Sequence, residues 1–440
     1  MARLVVLVLC VGVASSLSCD GSRPATPPRR PVSQRVAQRV ASAVAACVLS
    51  ASPPLVAMMP LPSLAARPQN AASSAGSRVN KDPESLLRNG LPISGPGERE
   101  ARKLQSSVEA IKDDLKAKRV AAASGDVETA KRLVSASASA LVGAAPTAER
   151  KADVESRLAL MKDELEPIGA ALKSLGPAGS PQEREALDEA GLRQANAARL
   201  VTEIENRLVP LNYKANVPVD KDFPDVPRLD GRARVAFTLK KAGGAKFDVE
   251  GELFDRANIE LVVDGYTAPL TSGNFLDLVN KKFYDGMPIQ RSDGFVIQTG
   301  DPDGEDGPKV GFETSKGVVR RVPLEISLAA DKQNPLYGAT TEDIGKGATP
   351  VSLPFQAYGA LGMARDEYEA DSASSQFFWL LFDSDLTPAG KNFLDGRYSA
   401  FGYTVKGEDF LSDVAVGDLI EKATVVRAPP PFGDYDGLDV

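Results

Sequence analysis

The spacing of apolar residues changes once along this chain, and the change falls on a proline-rich segment, residues 214–228. Before it, apolar residues recur at helical intervals; after it, they alternate. A helical stripe and a half-buried strand bury different faces, so the two stretches need separate cores and the chain reads as multidomain α and β. In the first stretch Leu104, Val108, Ile111 and Leu115 repeat at i, i+4, i+7 and i+11, with Lys, Glu and Asp between them. A break is expected at Ser124-Gly125-Asp126. A second helix then carries Val127, Ala130, Leu133, Val134 and Leu141 and ends near Pro146. The third carries Val154, Leu158, Met161, Leu165, Ile168, Leu172 and Leu175, and Pro167 is expected to kink it. Ser180-Pro181-Gln182-Glu183 is a capping box with proline at the first helical position. The fourth helix starts there, with Leu187, Ala190, Val201, Ile204 and Leu208 as its stripe. Four amphipathic helices with short connections predict a four-helix bundle-like domain over 83–213. It has almost no aromatics and no metal-ligand spacing, which marks it as structural or regulatory.

Residues 214–228 read as a semi-rigid linker. From 229 to 427 short alternating segments dominate: 234–240, 259–263, 287–291, 295–298, 322–328, 360–364, 376–382, 397–405 and 421–427. Val296 and Gln298 share a face by alternation. A helix is expected over 271–282. Many strands and only two helical patterns predict a closed antiparallel β-barrel with two helices. Residues 428–440 form a tail.

Composition removes several chemistries. There is no histidine, which excludes Ser-His-Asp and Cys-His catalysis and His-zinc sites. The three cysteines, Cys10, Cys19 and Cys47, all fall in the first 50 residues. Cleavage of that region would leave no thiol. No cofactor and no metal are expected. A net charge of −7 argues against nucleic acid as a partner. That charge is divided unevenly, because residues 1–65 hold six Arg and one acid, Asp20. They read as an address in series: an apolar secretory-type run, an Arg/Ser/Pro-rich transit stretch, and a second apolar run ending in small residues at Ser63 and Ala65. Three signals imply three membrane systems: the ER-type envelope of a complex plastid, its inner envelopes and the thylakoid. Residues 66–82 are expected to be a disordered mature N-terminus.

Six pieces of the second domain occur in order: GNFLDLV (273–279), YDG (284–286), IQR with GFVIQTGDP (289–302), LGMAR (361–365), SSQFF (374–378) and LDGRYSAFG (394–402). Together they resemble the cyclophilin family of peptidyl-prolyl isomerases, and most of all its thylakoid-lumen members with an N-terminal helical bundle. The resemblance implies that Arg291 is the catalytic guanidinium. It places Phe295, Val296, Phe378 and Leu394 in a proline pocket, with Phe393 and Tyr398 beside it. Gln298 and Gln376 would orient Arg291 and the substrate, and Ala364 and Arg365 would pair with the substrate backbone. The implied partners are proline-containing segments, among them lumenal loops of photosystem II proteins, and the helical bundle is a candidate cover for its own groove.

Some positions depart from the family pattern. Ile289-Gln290 stands where active members carry Phe-His, the turn after Arg291 is one residue shorter, and Phe393 replaces a tryptophan. Arg365 replaces an asparagine and Tyr398 a histidine. These changes imply either slow catalysis or proline-peptide binding without turnover. A long acidic loop from Asp301 and an insertion over 331–352 should reshape the rim.

Overall fold

The computed structural model describes residues 80–217, 223–302, 311–382 and 392–435. The expectations for the presequence, for 66–79, for most of the acidic loop and for the end of the tail lie outside the described residues.

The helical region holds six described helices, four long and two short, rather than four. They are α1 (Pro83–Gly90), α2 (Gly95–Lys116), α3 (Val120–Ala136), α4 (Ala138–Ala144), α5 (Ala148–Lys173) and α6 (Pro181–Leu208). The expected stripes form one core, with Leu104, Val108, Ile111, Val127, Ala130, Val134, Val154, Leu158, Met161, Leu165, Ile168, Leu172, Val201, Ile204 and Leu208 all buried together. Ser124-Gly125-Asp126 is not a break. It lies within α3, where burial of Ala123, Val127 and Ala130 outweighs the cost of one helical glycine. The reversal falls earlier, where Lys118 adopts a left-handed φ of 53°. Pro167 lies inside a single helix, α5. Ser180 caps α6, its side chain accepting from the Glu183 amide at 3.1 Å.

The second region is a curled antiparallel sheet of eight strands in the order β12-β1-β4-β11-β9-β10-β6-β5. These are β1 (Arg232–Lys240), β4 (Ala257–Asp264), β5 (Arg291–Ser292), β6 (Val296–Thr299), β9 (Ala360–Met363), β10 (Phe377–Leu380), β11 (Ala400–Lys406) and β12 (Leu419–Arg427). Two separate hairpins were not expected: β2 (Phe247–Val249) with β3 (Glu252–Phe254), and β7 (Glu325–Leu328) with β8 (Asp331–Tyr337). The sheet is not the closed barrel that was expected, since β5 and β12 end it unpaired with each other. Residues 286–289 bridge toward β12, with Gly286 and Ile289 amides donating to Ile420 and Asp418 carbonyls at 2.7 Å each. The Ile420 and Gly417 amides donate back to the Met287 and Ile289 carbonyls at 2.9 Å each, and Pro288 lies between them opposite Leu419, at a position that needs no N–H. Of the two expected helices, one is an α-helix, α7 (Pro269–Asn280). The sequence pattern places no second one; Glu408–Asp413, which follows left-handed Gly407, is a 3₁₀ segment.

Strand alternation divides this region into two apolar layers. Inside the curl, Phe237, Phe275, Tyr284, Ile297, Phe377, Trp379 and Phe401 pack beneath α7. On the outer face Val296, Phe378, Leu380 and Leu394 join Leu353 and Phe355. Leu86 and Leu87 of α1 belong to this outer cluster. The expected disorder therefore stops before Asp82, whose carboxylate caps α1 by accepting from the Ser85 amide at 2.9 Å.

Short α1 connects the two regions. An α-helix leaves its last four carbonyls without partners. Here cations from the sheet region supply them. Arg232 on β1 donates to Leu87 O at 2.5 Å, and Lys332 on β8 donates to Asn89 O at 2.6 Å and Leu91 O at 2.8 Å. Both charges sit at the negative end of the helix dipole. Arg232 is 2% exposed, and its Nε also donates to Asp264 on β4 at 2.7 Å. The same helix reaches the bundle through Arg88, which bonds Glu109 of α2 at 2.9 Å and Thr202 of α6 at 2.8 Å. The expected linker is also tied down, with the Asn216 amide donating to Gln333 O at 2.8 Å.

Two predictions test this junction. Arg232→Met leaves Asp264 buried and uncompensated, which should cost roughly 3–5 kcal/mol in denaturant unfolding. The second concerns Glu205 of α6, fully buried against Arg102 at 3.1 Å, whose pKa burial raises to about 7. A folded-state pKa above the unfolded value means the native state holds the proton more tightly. Stability should therefore fall by up to about 3 kcal/mol as pH rises from 4.5 through 7. Glu205→Gln should flatten that part of the pH–stability curve.

Candidate functional site

The site is built on the outer face of β5, β6 and β10. Arg291 and Gln298 are cross-strand partners, as are Gln298 and Phe378. This register places cation, amide and ring in one row. Gln298 Nε2 donates to Gln376 Oε1 at 2.9 Å, and Gln376 Nε2 donates to Asp301 Oδ2 at 3.2 Å, so each amide fixes the orientation of the next. Gln290 extends the chain by accepting from the Asp301 amide at 3.1 Å. The flanking motifs support the row from behind. Tyr284 donates to Ser375 O at 2.9 Å, and Asn274 donates to Ser374 O at 2.7 Å.

The aromatic residues separate into floor and rim. Phe378 is 5% exposed and Leu394 is 8% exposed, with Val296 buried beside them. Phe378 stacks on Phe355 at 5.9 Å and meets Tyr398 edge-on at 5.9 Å. Strand β9 can pass this ring only because position 362 is glycine: a Cβ there would lie 2.1 Å from the Phe378 ring. At the rim Phe295 and Phe393 are 54% and 51% exposed, with Phe382 between them. Phe382 stacks on Phe295 at 5.7 Å and meets Phe393 edge-on at 6.2 Å. The large rings available to solvent are therefore at the mouth, and the floor is covered.

The two residues expected to meet a substrate backbone also make contacts within the fold. The Ala364 amide donates to Gln376 O at 2.9 Å. Arg365 lies 5.0 Å above the Tyr398 ring and donates to the carbonyls of Arg397 at 2.7 Å and Asp366 at 2.7 Å. Burial raises the pKa of the Tyr398 phenol, which stays neutral.

Arg291 itself is held by Asp293. Its Nε and Nη2 reach the same carboxylate oxygen at 2.7 and 2.5 Å. Partial burial works to raise the Asp293 pKa, but hydrogen bonds from the Val296 amide, the Arg291 side chain and the Phe295 amide outweigh it. The carboxylate is held below its ordinary range and stays charged.

Sequence reasoning missed Asp293, Phe355, Phe382, Leu86 and Leu87. The Ser-Asp-Gly turn is a readable signal for Asp293, because Asp commonly accepts from amides two residues on. Asp82, Pro83 and Gly90 are readable start and stop signals for α1. Nothing local places Phe355 or Phe382 at the groove. Among the described residues, no group of three or more His, Cys, Asp or Glu side chains is arranged to hold a metal. A surface cleft of about 870 Å³ between α2 and α3, lined in part by Arg99, Arg102, Lys103 and Asp126, contains none of the groove residues.

A curled antiparallel sheet bearing one arginine, two linked amides and converging rings on its outer face defines a groove suited to proline-containing peptides. The model for cyclophilin type peptidyl-prolyl cis-trans isomerases matches residues 247–429, and that for the PsbQ-like domain of CYP38-like peptidyl-prolyl cis-trans isomerases matches 82–209. The chain is 39% identical over 400 residues to peptidyl-prolyl cis-trans isomerase CYP38, chloroplastic, of Arabidopsis thaliana, covering 86% of this chain and 84% of that protein. It is 37% identical over 347 residues to a putative thylakoid lumen peptidyl-prolyl cis-trans isomerase of Synechocystis sp., covering 78% and 82%. The chain belongs to the cyclophilin-type peptidyl-prolyl cis-trans isomerase family, in the form that carries a PsbQ-like helical domain ahead of the isomerase domain. A crystal structure of the Mimivirus cyclophilin covers 46% of the chain and 93% of its own length at 17% identity and a TM-score of 0.29, a likeness that carries no argument.

Adding one methyl group should test the floor. Gly362→Ala must displace the Phe378 ring, at a cost of roughly 1–3 kcal/mol. The expected result is a lower denaturation midpoint together with weaker binding of a proline peptide.

Proposed function

We propose that this chain is a slow peptidyl-prolyl isomerase of the thylakoid lumen. The observation that carries the proposal is the row formed by Arg291, Gln298 and Phe378 across β5, β6 and β10. Turning an X–Pro bond means losing amide resonance, against a barrier of about 18–20 kcal/mol. The reaction needs no nucleophile and no proton transfer. It needs a donor to the proline nitrogen as it pyramidalises, and a fixed hold on one side of the bond while the other turns. A guanidinium, amides and rings can supply both without histidine or cysteine. Two features support a low rate: the covered floor around Phe378 and the carboxylate of Asp293 on Arg291.

Those features also favour a second reading, a proline-peptide-binding chaperone or assembly factor that holds a segment at the exposed rim of Phe295, Phe382 and Phe393. Its clients would be lumenal loops of photosystem II proteins. A contact of the helical region with its own groove is part of the same proposal, supported by the packing of Leu86 and Leu87 in the cluster that holds Val296, Phe378 and Leu394. The names of the relatives support a plastid and lumenal address, and the serial signals in residues 1–65 support entry to a complex plastid through an ER-type signal.

The test is an X–Pro exchange assay on the chain without its presequence, with peptide binding measured in parallel. The isomerase reading expects slow turnover that Arg291→Ala lowers tenfold or more, roughly the effect of losing one preorganised donor. Turnover unchanged by Arg291→Ala would overturn it. Binding with no turnover in the parent chain would leave the chaperone reading.

A further inference from the structure

We propose that Asp293 is a built-in brake on Arg291, holding the guanidinium away from a bound proline and so setting the slow rate; the inference rests on the isomerase reading above. The geometry is specific. Both Nε and Nη2 of Arg291 reach one oxygen of Asp293, at 2.7 and 2.5 Å. The other oxygen accepts from the amides of Phe295 at 3.0 Å and Val296 at 3.1 Å. The intervening residue, Gly294, adopts a left-handed φ of 79°, so the turn is tight.

A carboxylate fixed at both ends differs from an ordinary surface partner. It cannot swing away from Arg291 without releasing the two amides that place Phe295 at the rim and start β6. The carboxylate therefore stays beside the guanidinium, and any release falls to rotation of the Arg291 side chain itself. The ion pair affects catalysis in two ways. It occupies the Nε–H direction of the guanidinium, and it sets a full negative charge against the cation. The transition state needs that positive charge at the proline nitrogen, where a lone pair develops as resonance is lost. A neighbouring anion reduces the field there even when a free N–H can still reach the bond. Because the turn amides also hold the Asp293 carboxylate ionised, mild acidification does not release the brake.

A lone half-exposed ion pair changes an equilibrium by about fivefold at most. One locked by a turn should act at or slightly above that limit. The discriminating variant is Asp293→Asn, which removes the charge while its side-chain oxygen still accepts from Phe295 and Val296. In the chain without its presequence, with a proline tetrapeptide as substrate, turnover should rise roughly three- to tenfold. The gain should appear in kcat, with KM within about a factor of two. In Arg291→Ala/Asp293→Asn the gain should vanish. Unchanged or slower turnover in Asp293→Asn, with peptide affinity intact, would overturn the brake, and so would a gain that survives loss of Arg291. A second measurement does not depend on turnover or on the variant folding. In the parent chain, NMR should show the Arg291 Nε–H protected and rotation about its Nε–Cζ bond slowed relative to exposed arginines; a freely rotating guanidinium would refute the contact. If no chain binds the tetrapeptide, the isomerase reading fails, and the NMR result still decides whether Asp293 holds Arg291.

Discussion

The buried guanidinium of Arg232 is the contact on which the arrangement of this protein depends. It joins three elements at once: β1, which carries it, β4 through Asp264, and α1 through Leu87 O. Taking an arginine out of water is tolerable only when its donors are met by a carboxylate and a carbonyl in good geometry. Both are present, and Asp264 is itself tied down by the Thr267 amide at 2.9 Å. The planar fork of arginine suits two acceptors set at an angle; a lysine would offer a single point charge. Together with Lys332 and the packing of Leu86 and Leu87, this contact holds α1 on the sheet, and α1 is joined to the helical region through Arg88.

With α1 docked, Leu86 and Leu87 join the apolar layer that includes Phe378 and Leu394, and Phe355 completes it against the face of Phe378. The polar row is retained and pre-oriented through Gln298, Gln376 and Asp301, while the rings open to solvent have moved outward to Phe295 and Phe393. Hydrogen-bonded amides and a paired arginine are rigid, so the site reads as preorganised for binding. On the proposal made above, its capacity to turn a bond depends on how far Arg291 is free of Asp293. On the same proposal these are separable properties of one groove, with binding at the rim and rotation at the cation.

Much of this was legible beforehand. The helical stripes identified the core of the first region almost residue by residue, because burial of an amphipathic face dominates helix placement. The motif order located Arg291, Gln298, Gln376 and Phe378, which the structure brings to one face. Errors arose where local signals met tertiary packing. The Ser124-Gly125-Asp126 segment stays helical because its neighbours are buried. The strand order does not close into a ring, because residues 286–289 meet β12 only through an isolated bridge at Pro288 and Leu419.

The sequence by itself determined the periods, the caps, the absence of histidine and hence the kind of chemistry available, since these depend on residue type and spacing alone. Only the tertiary structure decided that a short helix at residue 83 bridges two regions, that Phe355 and Phe382 reach the groove, and that Asp293 faces Arg291. The first two are contacts between residues far apart in the chain, and no local pattern encodes them. The third is local, but its meaning depends on both ends of one carboxylate being engaged at once, which only coordinates reveal.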